Sequence, residues 1–448
     1  MGQVLSVFVG VVVAIGVFFL VFWAINKAIE MAPTHWALFL GVLGLILGLV
    51  LGAFLNANVF GGGLATVLGV GVIGAVLAAI FGWLRPPAIN NRKHFSEAAQ
   101  PWVFVAPALL FVTIGLIIPT FRTGILSLKD RTSENWVGLE NYGWVFTNDD
   151  IFNMSGWPDI FKSRMLYVGI VALIIGLVVA RHYGKQIGVR ATYDGPWPLS
   201  WTVLGIILVA FAVFTSMSGV IWNNLWWVFS VTLFATGLGL FIAVLTDRMD
   251  RGETIAKSII FLPMAISMVG ASVIWRFVYV FRPEGEVQIG LANAVVTALG
   301  SNPVAWLIKP PWNTFFLIIV LIWIQTGFAM VVLSAAIKAV PSEMLEAAEV
   351  DGATRSDTFW RITLPNIRST IAVVFTTLVV VVMKVYDIVK VMTNGEFDTN
   401  VIANEMFDQA FRFTQAGRGS ALAAVLFMFV VPIMYVNIRR VRKEAALR

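Results

Sequence analysis

The chain has 448 residues, 59% of them hydrophobic and only 12% charged, with a net charge of +6 and no cysteine. Soluble globular domains carry about 25% charged residues, so this composition excludes one and indicates an all-α polytopic membrane protein. The basic residues stand mostly in short loops between apolar runs, which argues against nucleic acid as a partner and for membrane lipid. The absence of cysteine excludes disulfides and thiolate metal sites, and His35, His94 and His182 are expected in separate loops rather than as metal ligands.

A helix needs about 20 apolar residues to cross the hydrocarbon core, and on that criterion the sequence predicts about eleven spans. The first, 4–25, is kept as a span because no Lys or Arg precedes it as in a signal peptide. The second, 36–55, carries Gly44, Gly48 and Gly52 at spacings of four, which lets another helix approach closely. Runs at 63–84 and 102–119 follow. The runs 166–180 and 199–217 are short and flank the basic segment 181–197; the alternative makes 151–220 an external loop with one re-entrant hairpin. The remaining spans are 225–245, 259–280, 315–337, 371–392 and 421–436.

With the N-terminus outside, the loops holding Arg181, Lys185 and Arg190, then Arg248, Arg251 and Lys257, then Arg355, Arg361 and Arg368 all fall inside, as does the basic C-terminus.

Polar groups within the later spans are candidates for a translocation path, since ionisable residues at such depth are costly and face a cavity or a partner. The run 259–280 offers Ser267, Ser272, Trp275 and Arg276; the run 315–337 offers Trp323, Gln325, Thr326 and Phe328. In the run 371–392, Lys384 and Asp387 are three apart on one helix face, beside Tyr386. They either bind a polar substrate or neutralise each other as a structural pair.

Between two apolar runs lies a charged island, 341–365. Pro341-Ser342 reads as a helix start with Ser342 as N-cap and Glu343 and Glu346 near the positive helix end. Gly352 is the expected stop. Thr354-Arg355-Ser356-Asp357 has the pattern of a capping box opening a second helix, on which Phe359 and Ile362 share a face. Leu364-Pro365 is expected to end it, because the residue before proline is pushed out of helical geometry. Such a helix-turn-helix suits insertion into a cleft on a partner; the bland alternative is a solvated connector.

Glu346-Ala347-Ala348, Asp351-Gly352-Ala353, Phe359, Ile362 and Leu364-Pro365 resemble the EAA loop of ABC importer permeases, with Ser369 where many of these carry a further proline. Asp247-Arg248, Arg251-Gly252-Glu253, Phe261-Leu262-Pro263, Trp275, the approach 338–341 and Thr393-Asn394-Gly395 resemble the carbohydrate-importing, maltose-type branch. The segment 261–267 and the tail 436–440 are similar to its alpha-glucoside subgroup.

The resemblance implies a type I ABC importer permease with a six-helix core, formed by the fourth and the seventh to eleventh runs, plus additional transmembrane helices. It implies the organisation 1–100, additional N-terminal helices; 101–150, first core helix and external loop; 151–220, inserted helical hairpin; and 221–448, the remaining core with the ATPase-coupling loop 341–365. The function implied is a permease subunit of an ATP-driven, binding-protein-dependent importer of alpha-glucosides, such as maltose or trehalose-like oligosaccharides, in the bacterial cytoplasmic membrane. Its partners would be a second permease, two ATPase subunits and an extracytoplasmic sugar-binding protein. The sequence has no Gly-x-x-x-x-Gly-Lys-Ser/Thr loop and no His-Glu-x-x-His site, so no cofactor is expected on this chain, and ATP and Mg would lie on the partner ATPase. An ion-coupled secondary transporter is the alternative; it would show repeated halves and carboxylates in several spans, of which only Asp387 is so placed.

Overall fold

The computed structural model describes residues 33–55, 63–84, 105, 108, 112–186, 195–249 and 251–445. The predicted span 4–25, the basic segment around Arg92 and His94, and most of the run 102–119 lie outside the described residues. Among the described residues seven helices are long and apolar enough to cross a membrane, or eight if one sharply bent pair counts as a single span. The chain divides into two compact units, Met1–Leu126 and Ser127–Arg448.

In the first unit α1 (Pro33–Leu55) and α2 (Leu64–Leu84) pack along each other. Their backbones touch: a Cβ added at Gly44 would stand 2.3 Å from the Gly74 carbonyl oxygen, and one at Gly74 would stand 2.5 Å from that of Gly44. The outer face of α2 exposes Leu68, Val72 and Leu77, the surface that lipid covers. His35 lies within α1 rather than in a loop. A π turn, Thr113–Ile117, runs directly into α3 (Ile118–Leu126), so the helix passes through Pro119 instead of ending there.

The second unit opens with two short helices, α4 (Glu140–Thr147) and α5 (Trp157–Ile160). Then come α6 (Arg164–Gln186) and α7 (Pro196–Ser216), both of spanning length and packed against each other. They stand where the sequence predicts its fifth and sixth runs, and His182 is within α6. The centre is α8 (Val220–Asp247) against α12 (Trp312–Lys338). A Cβ at Gly239 would stand 2.9 Å from the backbone nitrogen of Met330, so this contact also demands glycine. Phe211 and Phe214 of α7 lie on Trp226, and Phe211 also meets Trp312 and Phe315.

Three expectations of unbroken or terminated helices need correction. The run 259–280 is not one straight helix: α9 (Glu253–Phe261) and the 3-10 turn Leu262–Ala265 meet α10 (Met268–Val278) at a bend of 99°. Pro263 tightens the first arm, and Ser267 starts the second by accepting from the Gly270 N–H at 3.0 Å. The short helix α11 (Leu291–Ala298) follows.

The run 371–392 also breaks. Helix α15 (Leu364–Met383) stops, and α16 (Asp387–Met392) starts afresh after Tyr386, whose φ of −141° and ψ of −56° lie outside the helical region. Asn224 of α8 holds the break: its amide donates to the Met383 carbonyl at 3.3 Å, and its oxygen accepts from the Ile402 N–H at 2.8 Å.

Conversely, Leu364-Pro365 does not end a helix. From α14 (Arg355–Thr358) the chain passes through a π turn, Phe359–Thr363, and on into α15 without interruption. A proline inside a helix clashes with the carbonyl four residues back, here Arg361, and the widened turn moves that carbonyl aside. The chain finishes with α17 (Ile402–Phe407) and α18 (Ala416–Ala445).

Candidate coupling site and translocation path

The island begins with α13 (Ser342–Val350), where Pro341 rather than Ser342 is the N-cap and no side chain caps the helix. Ala348 is buried, with Leu345 half-buried on the same face. Glu343, Glu346, Ala347 and Asp351 face outward, and Val350 is 88% exposed. The helix closes as a Schellman motif: Gly352, at φ +77°, donates its N–H to Glu349, and Ala353 donates to Ala348. The capping box is complete, with Thr354 and Asp357 each satisfying the other's backbone N–H.

This helix-turn-helix rests on the ends of the central pair. A cavity of about 430 Å³ is lined by Asp247 and Arg248 of α8, Lys338 of α12, Glu349 of α13, and Arg355 and Phe359 beyond the turn. The two core helices therefore finish at the same end of the unit, beside the island.

The residues predicted for a translocation path are partly brought together. Trp275 of α10 packs 5.7 Å from Trp323 of α12, in a cluster with Tyr279, Trp306 and Phe316. Gln325 is 7% exposed on α12, and Phe328 is half-buried against the core. Thr326 spends its hydroxyl on its own helix, donating to Ile322 at 2.7 Å, as Ser272 does to Met268 at 2.6 Å.

Lys384 and Asp387 do not share a helix face, because the break lies between them, and they form no ion pair. Tyr386 instead packs on Phe407, 5.6 Å away. The ion pair in this region joins Lys390 to Asp408 at 2.9 Å, with Arg412 at 3.8 Å from the other carboxylate oxygen. Arg276 reaches across from α10 and donates to the Val391 carbonyl at 3.3 Å, so the two broken segments meet.

Sequence reasoning missed the asparagines that tie loops to the core. Asn223 donates to the carbonyls of Asp398 and Asn400, Asn313 to that of Phe397, and Asn293 to those of Val280 and Val304. Asn223 and Asn224 directly precede the predicted span 225–245, and paired amides at a span end were the available signal.

Residues 235–441 match the family described as the binding-protein-dependent transport system inner membrane component. The osmoprotective compounds uptake permease protein GgtC of Synechocystis sp. is 44% identical over 346 residues, which are 77% of this chain and 100% of that one. The chain belongs to this permease family. The permease is also 40% identical to the alpha-glucoside transport system permease protein AglF of Rhizobium meliloti, over 82% of this chain and 91% of the relative. In fold the permease is similar to a crystal structure of a bacterial ABC transporter involved in the import of the acidic polysaccharide alginate. That likeness has a TM-score of 0.52 and 19% identity, covering 78% of this chain and 99% of that one. The permease is an all-helical, multi-pass membrane protein with the type I ABC importer permease fold.

Proposed function

We propose that this chain is the membrane-spanning subunit of an ATP-driven importer of alpha-glucosides or closely related small sugars. The observation that carries the reading is the exposed outer face of Glu346, Ala347, Asp351 and Gly352, on a doubly capped helix-turn-helix standing on the ends of α8 and α12. Ala348, Ala353, Phe359, Ile362, Leu364 and Pro365 form its inner side and its rigid continuation into α15. The names of two relatives, an alpha-glucoside permease and an osmoprotectant uptake permease, support the substrate class.

In this reading residues 341–365 are the docking loop for the ATPase, of which the importer has two subunits, and ATP with Mg lies on those subunits. A second permease completes the pathway, and an extracytoplasmic binding protein delivers the sugar. The chain lies in the bacterial cytoplasmic membrane with the island and C-terminus inside and the N-terminus outside. About eleven spans comprise a six-helix core together with added helices, over the divisions 1–100, 101–150, 151–220 and 221–448. Trp275, Gln325, Thr326, Phe328, Lys384, Tyr386 and Asp387 line or border the path. Gln325 is the sharpest candidate, because a buried amide needs a hydrogen-bonding partner and sugar hydroxyls supply one.

The test is co-purification from native membrane in mild detergent, followed by ATP hydrolysis measured with and without sugar and binding protein. An ATPase and a second permease in the complex, with sugar-stimulated hydrolysis, is the expected result. Recovery of this chain alone with sodium- or proton-dependent uptake would replace the reading with a secondary transporter.

A further inference from the structure

Helix α9 is held in an unusual way. None of its nine residues is fully buried, and Ile260 alone of them packs partly buried against the core cluster. Three contacts with α12 hold it. At its far end the Ile260 carbonyl oxygen and the Phe261 Cα lie so close to Gly327 that a Cβ there would stand 2.8 Å and 3.1 Å from them. At its near end Glu253 receives two ammonium groups, Lys257 from its own next turn and Lys338 from the last residue of α12, the latter at 2.5 Å. Lys257 also donates to the buried Ser334 hydroxyl of α12.

Lys338 stands three residues before Pro341, at the root of α13, and lines the cavity beneath the island. Gly252, at φ +84°, is the N-cap of α9 directly before Glu253, a left-handed conformation that glycine adopts without strain. Beyond α9 lie the 99° bend and then α10, which carries Trp275 and reaches α16 through Arg276. An unbroken line of contacts thus runs from the island through Lys338 and Glu253 into α9, around the bend, and to the aromatic cluster. Ion pairs as exposed as this one contribute little to stability.

We propose that Glu253 is a positioning residue for transport: through its pair with Lys338 it transmits displacement of the coupling loop to α9, and so to the bent segment bordering the path. The inference rests on the importer reading and adds to it a specific carboxylate outside the coupling loop.

The experiment uses the full complex reconstituted in liposomes, with sugar uptake and ATP hydrolysis measured on the same preparation and subunit stoichiometry checked on gels. Glu253→Gln and Lys338→Gln are each expected to assemble normally and to retain basal hydrolysis, while sugar imported per ATP falls by about threefold or more, the scale set by a partly exposed ion pair. The exchange Glu253→Lys with Lys338→Glu is expected to recover at least half of that loss. Unchanged sugar per ATP in both single variants would overturn the proposal, as would an exchange variant no better than the singles. A wild-type complex whose hydrolysis ignores sugar and binding protein would overturn the importer reading and this inference together.

Discussion

The backbone N–H of Leu364 donates to the carbonyl of Phe359, five residues back. The bond belongs to the π turn before Pro365, and what reads as a helix stop is a continuous helix from Arg355 to Met383. Phe359 and Ile362 thus stand on the same continuous helix as the apolar residues that follow, up to Met383.

Replacing Pro365 with alanine tests that arrangement. Alanine restores the missing donor and removes the ring clash, so the π turn loses its cause and the ladder can relax to ordinary α-helix. Losing the extra residue in the turn would rotate Phe359 by about 100° relative to α15. The expected outcome is an assembled, thermally unimpaired complex with impaired sugar-stimulated hydrolysis, read by a thermal melt beside an ATPase assay. Normal stimulation would show that the turn is incidental.

At Gly352 the demand is conformational and not spatial, since a Cβ there meets nothing within 4 Å and φ is +77°. An L-residue in the left-handed region costs about 1–2 kcal/mol, least for asparagine and most for β-branched side chains. Transport should therefore rank glycine, then Gly352→Asn, then Gly352→Ala, with Gly352→Val lowest, while all four insert equally. A ranking by side-chain size instead, with alanine above asparagine, would count against the turn geometry.

Asn224 is 1% exposed and satisfies two backbone groups of segments far along the chain. Asn224→Leu leaves both without partners, at about 1–3 kcal/mol each. A clear drop in the melting temperature of the detergent-solubilised protein is expected, larger than for Asn223→Leu, whose partners lie in a more exposed loop. Equal melting temperatures for Asn224→Leu and wild type would refute the structural role given to this amide.

In the loop 130–135, Asp130 accepts from the Asn135 amide at 2.8 Å, the Glu134 N–H at 3.0 Å and the Thr132 hydroxyl at 3.2 Å. The Asn135 amide above all holds its carboxyl below the ordinary 3.8, against a lesser upward push from burial. A depressed folded-state value means the loop's extra stability is fully present above the ordinary value and is lost as pH falls through the depressed one. Amide-exchange protection at Glu134 should hold down to about pH 4 and decline below it. In Asp130→Ala it should be low throughout, and a loop indifferent to acid in the wild type would remove this carboxylate from the account.

Local features of the coupling loop were legible because they are local. Gly352 as a stop and Thr354 with Asp357 as a capping box depend on residues within a turn of each other, and the structure contains both. The bend at Ser267 was legible too, since Pro263 and a capping serine lie inside the run, but average hydropathy over a span hides them. The break after Met383 was not legible: Asn224, which holds it, is 159 residues away. For the same reason a spacing of three suggested a Lys384–Asp387 pair, whereas the pair that forms joins Lys390 to Asp408 across α17.

Phe211 and Phe214, which the α6–α7 segment lays on Trp226 and Trp312, bear on how such a segment is kept. Large rings stand on both sides of this joint, and the buried indole nitrogen of Trp226 has no hydrogen-bond partner. A shortened chain lacking 164–216 would uncover Trp226 and Trp312, so removing the two helices changes the surface of α8 and α12 as well as the length of the chain.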